Sequence, residues 1–440
     1  MLFGSANIEK ALGVKVMIDS DAQRLQQLWR DMMAGKAPWN SDNVPSLMLA
    51  KGVSKEAARY TASEFESEIT GSVRADFLNE QYQRVAEDTI ENVTSLTGGG
   101  SIILKPYVRG SRIMVSTVTN DCFYPLRYNE IGEMVGVVFA DVLQREDYHY
   151  TLLETHEWDE MAQTYSISYR AFVSDKGSDI GAPVPLTEVA EWAHLQSDNQ
   201  YANIAQPLFV ECNMPDKRAI FADAVDIIKE ADEQLGRTIW EYYGGELAID
   251  ISSDLLKRDE TGVISLPRGK DRLYRSVNSD PDQFAAQVFN PNFRDDSLFR
   301  GLNEYKRTIE FIVGFAYGVI SDPNMREKTA EEIRAGKQRF FVTIGTIQKR
   351  VEAAYKRLIA SMDIISTIYA LAPTGTYETS YTWGDSIMED PDKEYARRKE
   401  MVGMGLLKPE LFNAWYFGVT EEAALEMMPG MADETGIMGE

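Results

Sequence analysis

Carboxylates are the most abundant side chains in this chain that could do acid–base chemistry or hold a metal, with 69 Asp and Glu residues against three histidines. Chance pairs are certain at this abundance, so no carboxylate pair is diagnostic. His156 beside Glu157, in a predicted strand, could form a general acid–base pair. No nucleophile or second base can be placed near it, so a structural role is favoured. The other histidines, His149 and His194, are too scattered to predict a metal site.

The glycine triplet Gly98 to Gly100 could cradle a phosphate. No Lys-Ser/Thr pair follows it, and the next segment reads as a strand rather than a helix, so a turn is favoured over a nucleotide-binding loop. The chain has no nucleophile-elbow motif, no His-Glu-x-x-His and no dinucleotide fingerprint. The sequence therefore predicts no catalytic residues, no cofactor and no metal.

The net charge of −24 is the strongest statement of the composition. A protein that grips nucleic acid by its phosphates normally carries a basic face, and this chain would repel DNA over most of its surface. Acidity of this kind serves solubility, or it provides a surface that DNA passes without sticking. The composition leaves both open.

The segment from Lys257 to Arg275 has a net positive charge, unlike the chain as a whole, because its six basic residues outnumber Asp259, Glu260 and Asp271. A loop cluster of this size is either solvated surface or a contact for an acidic partner or DNA. Its basic residues are Lys257, Arg258, Arg268, Lys270, Arg272 and Arg275.

Cellular location is constrained by cysteine content and hydropathy. Cys122 and Cys212 are the only cysteines, which argues against a disulfide framework and fits synthesis in a reducing cytoplasm. We expect no membrane span, since no run of about eighteen apolar residues occurs. The N-terminal residues also lack the basic start and apolar core of a secretory signal.

A break between two predicted helices is the feature of the chain best placed to position functional groups. Asp322-Pro323 is predicted to stop an apolar helix, because proline has no amide proton and restricts the residue before it. Thr329 and Glu332 form a capping box that restarts a helix. The spacing predicts either an ordinary helical hairpin turn or a short polar loop that the two helices hold in a defined position.

The surrounding pattern predicts an α+β fold. Helical periodicity from Asp19 to Met33 and from Ser54 to Gly100 precedes a β-rich, mainly antiparallel unit. Helices are predicted at Lys217–Tyr243, Ser297–Ile320 and Ala330–Leu371, and short strands lie between the first two. Six strands are predicted in the β-rich unit, at 101–108, 112–118, 134–142, 148–158, 163–173 and 207–212.

The predicted helix Ser297–Ile320 is apolar on all sides in its later part. This part must therefore be buried on every side, by its own chain or by neighbouring copies. Gly314 and Gly318 lie one predicted helical turn apart and would let another backbone approach closely. With Phe311 and Phe315, they are candidates for packing between subunits. After the long helix, a strand at Tyr381–Trp383 and helices at 391–404, 408–417 and 421–428 are predicted.

The order of these parts resembles the portal proteins of tailed bacteriophages, of the kind typified by SPP1-like siphophages. The resemblance covers about residues 54–428. Three short sequence segments also resemble the family: Ala62-Ser-Glu-Phe-Glu66 with the helix and glycine triplet that follow, Ala219-Ile-Phe-Ala-Asp-Ala-Val-Asp-Ile-Ile228, and Lys328-Thr-Ala-Glu-Glu-Ile333.

The resemblance implies a portal-type fold with named parts. These are a helical and β-rich wing at 1–216, a first stem helix at 217–245, a small β clip at 246–296 and a second stem helix at 297–320. A tunnel loop at 321–329, a long kinked wing helix at 330–376 and a short helical crown with a C-terminal tail at 377–440 complete the chain. The implied DNA-facing loop residues are Asp322, Pro323, Asn324, Met325, Arg326, Glu327 and Lys328.

The resemblance also implies function and partners. Portal proteins form a homo-oligomeric ring, usually a dodecamer, at one capsid vertex, through which terminase drives double-stranded DNA without sequence specificity and from which DNA is ejected. The implied partners are the terminase large subunit, the major capsid and scaffolding proteins, and a head-completion or adaptor protein docking at the basic clip residues. The protein would reside in the host cytoplasm during assembly and then in the virion, with no membrane contact. The alternatives are another virion structural protein without a DNA channel, and a DNA-processing enzyme, which the absent nucleotide and metal motifs disfavour.

Overall fold

The computed structural model describes residues 3–18, 20–252, 274–277, 286–290, 292–322, 330–384, 391–417, 420 and 424–425. The chain divides into two compact units, residues 1–383 and 384–440. The first unit contains both helices and sheets, which confirms the mixed α and β content of the predicted fold class.

Helices dominate the first hundred residues. The elements are α1 (Ser5–Leu12), α2 (Ser20–Met33), α3 (Leu49–Ala62), β1 (Glu66–Gly71), α4 (Val73–Glu87) and α5 (Thr89–Gly99). The continuous helical region predicted from Ser54 is wrong in one respect, because β1 interrupts it. Gly100 ends α5 as predicted, with a left-handed φ of 84°.

Antiparallel strands follow, as the period-two pattern predicted. They are β2 (Ser101–Arg109), β3 (Arg112–Thr119), β4 (Phe123–Tyr128), β5 (Met134–Arg145), β6 (Tyr148–Asp159), β7 (Thr164–Ser174), β8 (Ala182–Val184), β9 (Asp198–Ala202) and β10 (Val210–Asn213). One sheet has the order β10-β2-β3, and a second has the order β4-β5-β6-β7-β8 with β9 also paired to β7. The pattern missed β8, β9 and β4, and β4 is an edge strand whose pairing shifts register after Pro125.

The larger sheet is covered on both faces. Leu153 and Phe172 belong to a buried cluster with the N-terminal residues Phe3 and Ile8. Their chain neighbours Leu152 and Ala171 point the other way, into a cluster with Val189 and Trp192. This alternation is the period-two geometry of a strand.

The remaining elements of the first unit are long helices and short strands. They are α6 (Val225–Gly244), β11 (Ala248–Ser252), β12 (Tyr274–Val277), β13 (Ala286–Phe289), α7 (Asp295–Val313), α8 (Ala330–Ile368) and β14 (Tyr377–Thr382). Lys217 was predicted to start α6, but two short 3-10 turns come first and the helix begins at Val225. The long helix α8 runs unbroken for 39 residues, so the predicted kink does not interrupt it.

Strand β14 was predicted to open the crown, but it belongs to the first unit. It pairs antiparallel with β1, from Glu66 opposite Thr382 to Gly71 opposite Tyr377. The second unit therefore starts at residue 384. Its helices α9 (Pro391–Gly403) and α10 (Pro409–Phe417) match two predicted helices. Most of the third, at 421–428, lies outside the described residues.

Candidate functional site

Helix α7 ends seven residues earlier than the sequence predicted. The helix ends at Val313, where Gly314 adopts a left-handed φ of 79°. The Phe315 amide donates to the Glu310 carbonyl at 2.7 Å, which closes a Schellman-type cap. The prediction that one helix runs to Ile320 and is stopped by Asp322-Pro323 is therefore wrong, because glycine ends it first. Gly318, at φ 98°, lies in the irregular segment beyond.

A buried carboxylate organises this irregular segment. The Glu310 side chain is 0% exposed. Its Oε1 accepts the backbone amides of Gly318 at 3.0 Å, Ile320 at 2.7 Å and Ser321 at 2.9 Å. Its Oε2 accepts the Ser321 hydroxyl at 2.7 Å. Converging amides of this kind form a nest for an anion, and here the anion is the protein's own side chain.

A second side chain from α7 holds the next residue. The amide of Asp322 donates to Oδ1 of the buried Asn303 at 2.8 Å. Residues 318–322 are therefore attached to α7 through two side chains, Asn303 and Glu310, which lie about two turns apart along the helix. The segment immediately before the predicted tunnel loop is fixed rather than free.

Residues 336–343 of α8 also contact the segment. Arg339 donates to the Phe315 carbonyl at 3.2 Å, and Thr343 donates to the Gly314 carbonyl at 3.3 Å. Gly336 lies on the same helical face, where a Cβ would be 3.9 Å from the Ala316 Cα. The helices on both sides of the predicted loop thus pack on one connecting segment, which we call the junction (residues 314–322).

Replacing Gly314 with alanine is expected to destabilise the protein by about 1–3 kcal/mol, since φ is left-handed and strain of this kind costs that much. The added Cβ would also lie 2.3 Å from the Thr343 Oγ1. Gly345 in α8 provides the matched control. It has no atom within 4 Å of an added Cβ, and its change to alanine should stabilise by about 0.5–1 kcal/mol. Urea denaturation of both variants measures the difference, and equal midpoints would contradict the strain.

The four residues predicted to pack between subunits have different surroundings. Phe315 is fully buried inside the subunit, with its ring 5.4 Å from that of Phe340. Phe311 is 57% exposed and stacks under the Arg339 guanidinium at 4.6 Å. Gly314 and Gly318 are not on a helix, so the helical premise of their prediction is wrong. Packing between subunits at these positions stays a prediction, and Phe311 is the residue whose exposure suits it.

Most of the predicted loop and clip residues lie outside the described part of the chain. These are Pro323, Asn324, Met325, Arg326, Glu327 and Lys328 of the loop, and Lys257, Arg258, Arg268, Lys270 and Arg272 of the clip. Asp322 is exposed at the end of the junction. Arg275 lies in β12, opposite Asp250 of the parallel neighbour β11. Grouping of the clip cations stays a prediction.

A second buried carboxylate, which the sequence analysis missed, joins α6 to the N-terminal part of the chain. Asp232 is 2% exposed. It accepts the Trp39 indole at 2.9 Å, the Asn40 amide group at 3.1 Å and the Leu47 backbone amide at 2.7 Å. One turn on, a Cβ at Gly236 would lie 2.4 Å from a loop carbonyl. The loop at 39–47 is thus laid along one face of α6.

The candidate acid–base pair belongs to a buried structural network instead. His156 is 4% exposed, with Nε2 2.8 Å from Glu154 and Nδ1 2.6 Å from the Tyr165 hydroxyl. Glu154 also pairs with Lys105, whereas Glu157 is exposed. Burial alone would raise the pKa of Glu154, but Lys105 and His156 outweigh it and lower that pKa. Burial lowers the pKa of His156 against the opposing pull of Glu154.

Stability is expected to fall as the pH drops below about 6.5, because unfolded His156 then binds a proton that the folded ring resists, at about 1.4 kcal/mol per pH unit. Glu154 acts in the same direction below its ordinary pKa of 4.5, since its folded pKa is lowered. Urea denaturation between pH 7 and pH 5 measures the slope. His156→Gln should flatten it. A slope unchanged by His156→Gln would contradict the assignment.

The described part of the chain contains neither a metal-binding cluster nor a membrane-spanning helix. Its His, Cys, Asp and Glu side chains form no group of three that could hold a metal ion. None of its helices combines the length and apolar character needed to cross a membrane.

Comparison with known proteins assigns the chain to a family. The family model described as phage portal protein, SPP1 Gp6-like, matches residues 46–435. Comparison with curated proteins gave no match. Among solved structures, the neck of a native GTA particle computed with C12 symmetry is similar at 11% identity and a TM-score of 0.41, with 95% of this chain and 99% of that chain covered. The neck of an empty GTA particle computed with C6 symmetry is similar at 12% identity and a TM-score of 0.39, with 94% of this chain and 98% of that chain covered.

Proposed function

The chain belongs to the SPP1 Gp6-like family of phage portal proteins, and we propose that it assembles into a homo-oligomeric ring at one vertex of a phage capsid. Family membership is the observation that carries the proposal. The ring would be the channel through which terminase packages double-stranded DNA and from which that DNA leaves. The family is structural rather than enzymatic.

In this ring, α6 and α7 would form the stem and residues 321–329 would project toward the channel. Support comes from the junction, where Glu310 and Asn303 accept the backbone amides of Ser321 and Asp322, the first two residues of this segment. On the far side of the loop, α8 begins at Ala330 and packs on the junction three turns later. A loop with both ends attached in this way can keep a set position while DNA moves past it.

Exposed aromatic side chains on the two proposed stem helices support packing between subunits. Trp240 is 73% exposed, Tyr243 61% and Phe311 57%. Exposure of large aromatic side chains to water is unfavourable, and contact with neighbouring copies would bury them. The net charge of −24 supports the channel, since an acidic wall does not hold a polyanion through counterion release.

The clip at 246–296 would contact terminase and then a head-completion protein. The wing would contact the capsid and scaffolding proteins, and the mature location would be the portal vertex of the virion. The basic cluster of the clip supports this, because residues 257–275 carry six basic side chains against three acidic ones in a chain whose net charge is −24.

Native mass spectrometry with negative-stain imaging tests the proposal on the purified protein. We expect closed rings with an axial opening and a mass many times 49.6 kDa. A protein that stays monomeric at micromolar concentration and moderate salt, alone and with scaffolding protein, would contradict it. Closed particles without an axial opening would support a virion structural protein that is not a channel.

Replacing both Arg326 and Lys328 with glutamate is expected to reduce DNA packaging by about tenfold or more, since each change turns an attraction for phosphate into a repulsion. Ring assembly should be intact. The matched control reverses two exposed lysines, Lys36 and Lys51, and should package normally. Nuclease-protected DNA per particle is the measurement, and normal packaging by the loop variant would remove these charges from the mechanism.

A further inference from the structure

Two hairpin tips lie side by side at one end of the larger sheet. The first is the β4–β5 turn (residues 129–133) and the second is the β6–β7 turn (residues 159–163). Strand register makes them neighbours, because Gly136, near the start of β5, is opposite Glu157, near the end of β6. We call this pair of turns the tip surface.

Each turn presents a large apolar side chain to solvent. Ile131 is 78% exposed and Met161 is 98% exposed. Neither turn is loose. In the first, Glu133 donates its backbone amide to the Asn129 side chain at 2.8 Å. In the second, Asp159 accepts the Met161 amide at 3.0 Å. The two apolar side chains are therefore held outward by the folding of the turns.

A groove of about 470 Å³ separates the two tips. Val135 and Trp158 are buried residues that line it, and Arg127 closes one side by donating to the Trp158 carbonyl at 2.8 Å. The groove thus combines an apolar lining with Ile131 and Met161 at its rim. Exposed apolar groups grouped around a concavity are typical of interaction sites, whereas scattered ones are not.

The rim is strongly acidic. Its carboxylates are Glu130, Asp159 and Glu160, and the exposed Glu133 lies in the same turn as Glu130. Arg127 is the one cation among the described residues that line the groove, and its guanidinium is engaged with a backbone carbonyl. Charge complementarity favours a cationic partner and disfavours nucleic acid.

We propose that the tip surface is a docking site for a segment of a different protein, with one apolar side chain seated between Ile131 and Met161 and lysine or arginine residues beside it. The apolar contact would supply most of the affinity, and the carboxylates would orient the segment and speed its encounter. The proposal does not depend on ring formation or on the channel.

Fluorescence anisotropy with a labelled peptide tests it, on the full chain. The probe has a central leucine flanked by lysines, and the control peptide has glutamates in place of the lysines. We expect the lysine peptide to bind, with affinity falling as salt rises. Binding should weaken about tenfold or more in Ile131→Ser/Met161→Ser and in Glu130→Gln/Glu160→Gln.

Tyr148→Ser is the matched control, since Tyr148 is 51% exposed beside the β5–β6 turn at the opposite end of the same sheet. It should bind the lysine peptide like the unchanged protein. Equal binding by the apolar double variant, or equal binding of the glutamate peptide, would overturn the proposal. A loss of self-association in the apolar double variant would overturn it too, because the occupant would then be a second copy.

Discussion

Replacing Glu310 with alanine is expected to destabilise the protein by about 2–4 kcal/mol, because it leaves buried hydrogen-bond donors without an acceptor. Three backbone amides and the Ser321 hydroxyl now converge on this carboxylate. Glu310 is 0% exposed and Ser321 is 6% exposed, so both lie away from water in the native packing. The loss should therefore exceed that of an ordinary surface carboxylate.

Two further variants separate the hydrogen bonds from the helix that carries them. Glu310→Gln keeps one oxygen acceptor and should fall between alanine and the unchanged protein. Glu304→Ala removes a carboxylate that is 56% exposed and pairs with Arg307 on the same helix. It should cost less than about 1 kcal/mol.

Amide hydrogen exchange gives the local readout. Gly318, Ile320 and Ser321 should lose protection in Glu310→Ala before the rest of α7 does. If Glu310→Ala matched Glu304→Ala in stability and kept these amides protected, the carboxylate would not be what holds the junction. If the junction is loosened but the ring forms, packaging by the variant would show whether a fixed loop root is required.

Periodicity was enough to predict β2, β3, β5, β6 and β7 and the long helix α8, whereas β4, β8 and β9 were missed. These elements carry their pattern locally, since each strand pairs mainly with its chain neighbours. The pairing of β1 with β14 was not predictable in this way. β1 is six residues long, lies between two helices and finds its partner some three hundred residues later.

The junction shows a different limit. The apolar run from Ile309 predicted a continuing helix, and Gly314 was interpreted as a packing residue within it. Glu310 was the signal available, as a lone carboxylate in a run that must be buried. A buried charge needs several donors, and the N–H groups within a helix already donate to backbone carbonyls. A carboxylate there favours nearby irregular backbone with free amides, which is the arrangement that the structure shows.

Replacing Asp232 with alanine is expected to have an effect of similar size, about 2–4 kcal/mol, because a half-buried indole, a side-chain amide and the Leu47 backbone amide lose their common acceptor. The loop at 39–47 should then separate from α6. Asp232→Asn should recover part of the loss, since its carbonyl oxygen can still accept while its amino group faces other donors.

Glu230→Ala on the same helix is the matched control. Its carboxylate is 44% exposed and lies 3.9 Å from Arg237, so its removal should cost about 0.5 kcal/mol or less. Urea denaturation gives the totals, and exchange of the Leu47 amide reports the loop. Because α6 is a proposed stem helix, detachment of the loop without loss of the ring would show that this contact serves the subunit fold alone. An Asp232→Ala variant as stable as Glu230→Ala, with Leu47 still protected, would mean that packing around Gly236 rather than the carboxylate holds the loop on the helix.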